Sequence, residues 1–208
     1  MVDFETGSVD PHTTIPLQLA AKAYNARTLK PWPDGEFNSL MAPKAHEWDK
    51  IEDEALRINN IKKGDLEKAP AREHVWNEFV AFVTRFNKER KPVTAPIMAG
   101  HNIISFDAII IDRLSKEFGP TDKEGRSTLF HRRDKLDLMH IAFLWFENSN
   151  LVDNYKLDTL RDVFMLSKAG AHDALVDVRQ TGELLMQFLS SQRKVKVTFP
   201  CQKRKGGE

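Results

Sequence analysis

Three short stretches of this 208-residue chain place acidic side chains among apolar neighbours, and they lie far apart in the sequence. The first contains Asp3 and Glu5, the second ends in Asp107, and the third carries His172 and Asp177. Carboxylates among apolar residues are costly to bury unless cations or hydrogen-bond donors satisfy them. The fold must therefore either expose each acid separately or bring the three stretches together around a shared partner.

The first stretch, Val2–Thr6, predicts two carboxylates on one side of a strand. Side chains alternate along a strand, so Asp3 and Glu5 point to the same face. Like charges at this spacing repel unless a cation lies between them, and hard divalent metals prefer oxygen ligands. The alternative is two exposed acids at a sheet edge.

The second stretch, GHNIISFDAIII, places Asp107 where a strand passes into an apolar helix. As a structural residue, Asp107 would cap the helix N-terminus. His101 and Asn102 lie just upstream, in the loop that leaves the strand. In open α/β sheets, loops at the carboxyl ends of strands form the binding crevice.

The third stretch, GAHDALVDV, predicts a helix beginning near Asp173. His172 then lies just before the helix, and Asp177 lies one turn in, facing the same crevice. The structural alternatives are that His172 is a cap or surface residue, and that Asp173 is the important acid. Asp173 is the better candidate for the helix cap.

Apolar periodicity along the chain predicts strands first and helices later. Strands are expected at 15–24, in FNSLMAP after a turn at Pro31–Gly35, and in VTAPIMAG. Short helices are expected within 45–68, and longer ones at about 73–88, 107–118, 137–147, 157–166 and 173–190. We expect Lys91-Pro92 and Gly119-Pro120 to end two of them. This order favours a mixed α/β sheet with helices packed on it.

The length of the chain predicts one domain, and its single cysteine predicts a reducing compartment. Residues 1–190 form the expected domain, and residues 191–208 form a basic, partly disordered tail. The net charge of +1 neither requires nor excludes a polyanionic partner. The only cysteine, Cys201, and the lack of an apolar run of about 20 residues favour a cytoplasmic protein with no membrane partner.

In order and spacing, the three stretches resemble the DnaQ-like exonucleases of the DEDD superfamily, in the histidine (DEDDh) subgroup. The family's Asp-x-Glu motif is matched by Asp3-Phe4-Glu5, and its second motif by Asn102 to Asp107. Its His-x4-Asp motif is matched by His172 and Asp177, whereas the Tyr-x3-Asp of the tyrosine subgroup is absent. The resemblance runs from residue 1 to about 189.

The resemblance implies a ribonuclease H-like fold, with a five-stranded mixed β-sheet flanked by α-helices. It also implies hydrolysis from the 3′ end of DNA, single-stranded by preference, with release of nucleoside monophosphates. Two divalent ions, Mg²⁺ or Mn²⁺, would lie about 3.5–4 Å apart. By the family pattern Asp3 would bridge both ions, Glu5 and Asp177 would complete one site, and Asp107 would serve the other.

The resemblance also assigns the remaining roles. His172 would act as the general base on the attacking water. Substrate contacts would come from residues beside the acids, namely Thr6, Gly7, His101, Asn102 and Phe106. For Phe106 an ordinary core position is an equal alternative, and the basic pair at 132–133 is either a nucleic-acid contact or solvated charge.

One departure from the family pattern and two alternative functions stay open. Only Met1 and Val2 precede Asp3, which predicts a weakly anchored central strand unless the true start lies upstream. An exoribonuclease that trims RNA or short oligonucleotides fits the same motifs, because discrimination depends on the 2′-hydroxyl. A catalytically silent module that binds nucleic acid or a polymerase is disfavoured, since all four acids and the histidine are present.

Overall fold

The computed structural model describes residues 1–87, 89 and 91–195. Most of the predicted basic tail, including Cys201, lies outside the described residues. Five strands are formed: β1 (Val2–Thr6), β2 (Pro16–Tyr24), β3 (Pro31–Leu40), β4 (Met98–Gly100) and β5 (Lys135–Asp137). Seven α-helices accompany them among these residues: α1 (Asp53–Ile58), α2 (Lys63–Glu67), α3 (Arg72–Thr84), α4 (Asp107–Phe118), α5 (Leu138–Phe146), α6 (Leu157–Val163) and α7 (Ala174–Lys194).

The strands combine antiparallel and parallel pairing, which confirms the predicted mixed α/β class. β1, β2 and β3 form an antiparallel meander, whereas β4 and β5 pair in parallel. β4 contacts β1. The two strands lie so close together that a Cβ atom added at Gly100 would be 2.8 Å from the Val2 carbonyl oxygen. The strands therefore lie in the order β3-β2-β1-β4-β5, with hydrogen-bonded ladders in a three-stranded and a two-stranded group.

The alternation of apolar residues within 15–24 predicts a strand buried on one face, whereas the first half of β2 is buried on both faces. Leu17 and Leu19 are fully buried as expected, but Gln18 and Ala20 on the opposite face are buried as well. The reason is α7, which packs Ala174 and Val178 onto this face. The first half of β2 is thus a central strand covered by helices on both sides.

The turn predicted at Pro31–Gly35 is wrong, since these residues begin β3. The chain reverses just before them, where the Asn25 side chain accepts hydrogen bonds from the backbone N–H groups of Arg27 and Thr28. β3 lies at the edge of its sheet, where a proline that lacks an N–H group is tolerated.

The long helices agree with the predicted spacing, and their ends differ in three places, one of them α6, which ends at Val163 rather than 166. α4 spans the predicted residues and ends at Gly119, whose φ of 81° is the left-handed conformation that glycine adopts readily. α3 ends at Thr84, before the expected stop at Lys91-Pro92. α7 continues to Lys194, beyond the expected end at 190.

The sheet is enclosed by two helical layers. On one face Phe4 and Leu19 pack against aromatic residues of α3, including Trp76 and Phe79. On the other face α7 packs against β1 and β2, and its C-terminal half joins α5 in a separate cluster around Phe188. Among the helices described, none combines the length and the apolar character needed to cross a bilayer.

Candidate active site

β1 presents its two acids to α7. Asp3 lies opposite Ala20 and Glu5 opposite Gln18 in the antiparallel ladder, while Val2 and Phe4 fill the core on the other face. The alternation predicted for this strand is therefore correct. It directs both carboxylates away from the aromatic core and toward the N-terminal turns of α7.

Short as it is, β1 is fixed on both sides. Met1 and Lys22 exchange two hydrogen bonds, from Met1 N to the Lys22 carbonyl at 2.7 Å and from Lys22 N to the Met1 carbonyl at 3.0 Å. On the other side, Phe4 N donates to Asp107 Oδ1 at 3.0 Å. The weak anchoring expected for Asp3 is therefore not found in the described structure.

The third acid comes from the start of α7. Asp173 caps this helix by accepting from Leu175 N at 3.0 Å and Val176 N at 3.1 Å, as the sequence indicated. Asp177 lies one turn further on and faces β1. One carboxylate oxygen from each of Asp3, Glu5 and Asp177 lies within 4.8 Å of the others. We call these three residues the acid cluster.

Asp107 lies beside the acid cluster, and the helix cap that was its structural alternative is not formed. It is the first residue of α4, preceded by Phe106 in the cap position, and its side chain binds the backbone of β1 instead. The negative charge of Asp107 nevertheless acts on the acid cluster, where it helps to raise the pKa of both Asp3 and Glu5. The structure therefore brings all four predicted acids to one end of the sheet.

The acids hold their protons more tightly than ordinary carboxyl groups. Burial, and then the charges of neighbouring acids, raise the pKa of Asp3 well above its ordinary value and that of Glu5 to about 8. Burial also raises the pKa of Asp107 to about 8, even though the Phe4 N–H group opposes the shift. The pKa of Asp177 is also above its ordinary value, because the effect of burial exceeds the opposing effect of Arg161. A cation among these groups would relieve their repulsion.

The donor set of the acid cluster fits a divalent cation. Carboxylate oxygens are the ligands that Mg²⁺ and Mn²⁺ prefer, and three of them converge here from two separate elements. The buried setting means that these acids gain more from a bound cation than exposed acids would. The same three residues were predicted as metal ligands from the sequence.

A buried arginine that the sequence did not reveal contacts the acid cluster. Arg161 of α6 is 1% exposed, and its Nη2 donates to Asp177 Oδ1 at 2.5 Å. Its Nη1 donates to Asp158 Oδ1 and its Nε to Gln180 Oε1, both at 2.6 Å. The only sequence signal is the helical spacing of Asp158 and Arg161, which is common on exposed helices.

His172 lies at the rim of the site rather than among the acids. Its backbone is left-handed, with a φ of 65°, and its side chain is 44% exposed. Nε2 lies 4.0 Å from Asp158 Oδ2, while the backbone of His172 contacts the carboxylate of Asp177. The histidine is therefore next to the site and accessible to solvent.

The loop between β4 and α4 is held by an acid that was not among the predicted site residues. Asp137, at the end of β5, accepts from Asn102 N at 2.9 Å and Ile104 N at 3.2 Å. His101 in the same loop is largely buried, and burial lowers its pKa to about 4. His101 is thus neutral at physiological pH and cannot offer a positive charge to a phosphate.

The remaining predicted substrate residues are mostly engaged within the fold. Thr6 Oγ1 donates to the Ser8 carbonyl, and Gly7 N donates to the Ile15 carbonyl at 2.8 Å. Gly7 also lies close to Ile51, whose Cγ1 would be 3.1 Å from an added Cβ. Phe106 is partly buried against the main core, as its structural alternative predicted.

Comparison with known proteins identifies the fold. A family model described as an exonuclease, RNase_T, matches residues 1–185. The fold is shared with cell-death related nuclease 4 (CRN-4), at 17% identity and a TM-score of 0.68 over 91% of this chain and 62% of that chain. No curated protein matches the sequence significantly.

Two further structures show the range of nucleases with this fold. E. coli exonuclease I in complex with a 5cy-dT13 oligonucleotide is 19% identical, with a TM-score of 0.65 over 93% of this chain and 40% of that chain. A 3′-exonuclease that recognises the histone mRNA stem-loop is 12% identical, with a TM-score of 0.65 over 91% and 80%. The chain thus spans less than two thirds of CRN-4 and of exonuclease I.

Proposed function

Because the chain belongs to the RNase_T exonuclease family of the DEDD superfamily, we propose that it is a metal-dependent 3′-5′ exonuclease. It would release nucleoside monophosphates from the 3′ end of DNA, with single strands preferred. The observation that carries this proposal is the acid cluster, in which Asp3, Glu5 and Asp177 converge from β1 and α7. An acid set that costs stability is hard to explain as structure alone.

The four acids would hold two divalent cations. Asp3 would bind both ions, Glu5 and Asp177 would bind one, and Asp107 would serve the other. When bound, such ions activate the attacking water and stabilise charge on the leaving oxygen. Asp107 also accepts from Phe4 N, so it fixes the strand that carries Asp3.

His172 would be the general base of the reaction. Its exposed position allows it to receive a proton from water and pass it to solvent. Nε2 faces Asp158 Oδ2 at 4.0 Å, so Nδ1 is the nitrogen that would accept the proton from the water. A carboxylate beside one ring nitrogen orients the imidazole.

The 3′ end of the substrate would lie beside the acids, between the start of the loop after β1 and the loop before α4. Thr6, Gly7, Asn102 and Phe106 would border this space, and His101 would lie behind it. The exonuclease I structure with an oligonucleotide favours DNA, whereas the histone mRNA enzyme makes RNA the second candidate. The cytoplasmic location stays a prediction from the sequence.

A degradation time course tests the proposal. Single-stranded DNA, duplex DNA and RNA, each labelled at the 3′ or the 5′ end, are incubated with Mg²⁺, Mn²⁺ or EDTA. We expect mononucleotides from the 3′ end of single-stranded DNA with metal and none in EDTA. Asp3→Asn should be inactive, whereas Asp49→Asn, which changes an exposed acid outside the acid cluster, should behave as the unmodified protein.

Each contrary result has a distinct meaning. Cleavage that persists in EDTA or in Asp3→Asn would contradict the metal-dependent mechanism. Release from the 5′ end would contradict the polarity, and faster cleavage of RNA than DNA would favour the second candidate. Binding to oligonucleotides without any cleavage would favour the silent module.

A further inference from the structure

Arg161 is the most completely enclosed charged residue at the candidate site. Its side chain is 1% exposed, and each of its three nitrogen groups donates to a different acceptor. A guanidinium held at three points in a buried position cannot turn without leaving donors unsatisfied. Its orientation is therefore fixed by the fold.

This guanidinium contributes a fixed positive charge to the acid cluster. It contacts Asp177 directly, and its charge opposes the raised pKa of Asp3, Glu5 and Asp177. Three carboxylates that converge around a single cation remain under-compensated. The cluster thus has one permanent counter-charge and room for more positive charge.

The same guanidinium connects the acid cluster with His172. Nη2 binds Asp177, Nη1 binds Asp158 Oδ1, and the second oxygen of Asp158 faces His172 Nε2 at 4.0 Å. The chain of contacts runs from a proposed metal ligand to the proposed base. A shift of Arg161 would therefore move both.

We propose that Arg161 is a positioning residue, a built-in cation whose charge balances the acid cluster through Asp177 and whose rigid fork places Asp158 beside His172. The inference rests on the proposed nuclease function. It predicts that Arg161 and a bound divalent ion act on the same carboxylates. Arg161 and the metal must then be coupled energetically, which a purely structural arginine would not show.

The chain offers a matched control for a purely structural arginine. Arg72 is also buried, and it forms an ion pair with buried Glu47, away from the acid cluster. Replacing either arginine with glutamine removes a buried cation from an ion pair and should destabilise the protein. Only Arg161 is expected to change the response to metal.

The experiment is a thermal unfolding cycle in EDTA and in saturating Mn²⁺, with Mn²⁺ affinity measured by calorimetry. For Arg161→Gln, we expect a larger Mn²⁺-induced rise in Tm than for the unmodified protein. Mn²⁺ should also bind on the order of tenfold more tightly, because a repelling charge is gone. For Arg72→Gln, the rise should equal that of the unmodified protein. Equal rises in all three proteins would overturn the proposal.

Arg161→Lys keeps the charge and separates positioning from electrostatics, and it serves if Arg161→Gln fails to fold. Lysine cannot bridge Asp177 and Asp158 with a rigid fork. We expect an unchanged Mn²⁺-induced rise in Tm, a kcat lowered at least about tenfold, and an unchanged KM for the oligonucleotide. An unaltered kcat would overturn the positioning role. If the unmodified protein shows neither metal stabilisation nor 3′ release, the proposed function itself fails.

Discussion

Replacing Glu5 with glutamine should stabilise the metal-free protein while removing its activity. Glu5 is 8% exposed, and burial together with Asp177 and Asp173 raises its pKa to about 8 from 4.5. The folded protein therefore binds a proton at Glu5 that the unfolded chain has already released. Stability falls as pH rises from 4.5 to about 8, and the full penalty is present above that window.

The size of the effect follows from the two pKa values of Glu5. One pKa unit corresponds to about 1.4 kcal/mol, so the change from 4.5 to about 8 corresponds to about 5 kcal/mol if Glu5 titrated alone. Asp3, Asp107 and Asp177 titrate together with Glu5, so part of this free energy is shared. We expect Glu5→Gln to gain about 2 kcal/mol at pH 9, or about 4–8 °C in Tm.

The assay is thermal unfolding in EDTA at pH 5, 7 and 9. Glu5→Gln and the unmodified protein should unfold together at pH 5 and diverge at pH 9, while Mn²⁺ should stabilise only the unmodified protein strongly. Glu36 is a control whose pKa shift has the opposite sign, because Arg179 and Lys22 lower its pKa to about 2. Glu36→Gln should destabilise the protein at pH 7 and 9. If Glu5→Gln is no more stable at pH 9 than at pH 5, relative to the unmodified protein, the electrostatic reasoning is refuted.

Three further results are expected. His172→Ala should lower kcat at least about tenfold and leave the Mn²⁺-induced rise in Tm intact; a normal rate of cleavage would exclude His172 as the base. The Mn²⁺-induced rise should grow between pH 6 and 8.5, because protons compete for the raised carboxyl groups, and a rise independent of pH would contradict those shifts. Gly182→Ala should cost about 1–3 kcal/mol, since the added Cβ would lie 2.3 Å from Tyr24 Oη; an unchanged Tm would show that Tyr24 moves aside freely.

Local rules together with the family resemblance predicted which residues form the acid cluster. Asp3 and Glu5 share a face because strands alternate, and Asp177 faces them because it lies one turn past the capping residue Asp173. The family resemblance supplied the order of the motifs, and the family model over residues 1–185 confirms the family. The catalytic roles of these residues stay predictions.

Contacts between distant segments were not predictable in the same way. In the sequence, Arg161 has the pattern of an ordinary exposed helical residue. It contacts Asp177 only because α6 packs close to the start of α7. The acceptor role of Asp107 toward Phe4 N was also not predictable, since it depends on the packing of α4 beside β1. Likewise, the neutral state of His101 follows from burial, which no local pattern discloses.

The distance between α7 and the sheet determines whether the acids meet at all. Ala20 of β2 and Ala174 of α7 are both fully buried at this contact, and small side chains allow the helix to approach the strand closely. Gln18 reinforces the approach, because its Oε1 accepts from Ala174 N at 3.4 Å. A larger residue at Ala20 or Ala174 would push the start of α7 outward and carry Asp177 away from Asp3. The geometry of the proposed metal site therefore depends on two alanines that have no chemical role in it.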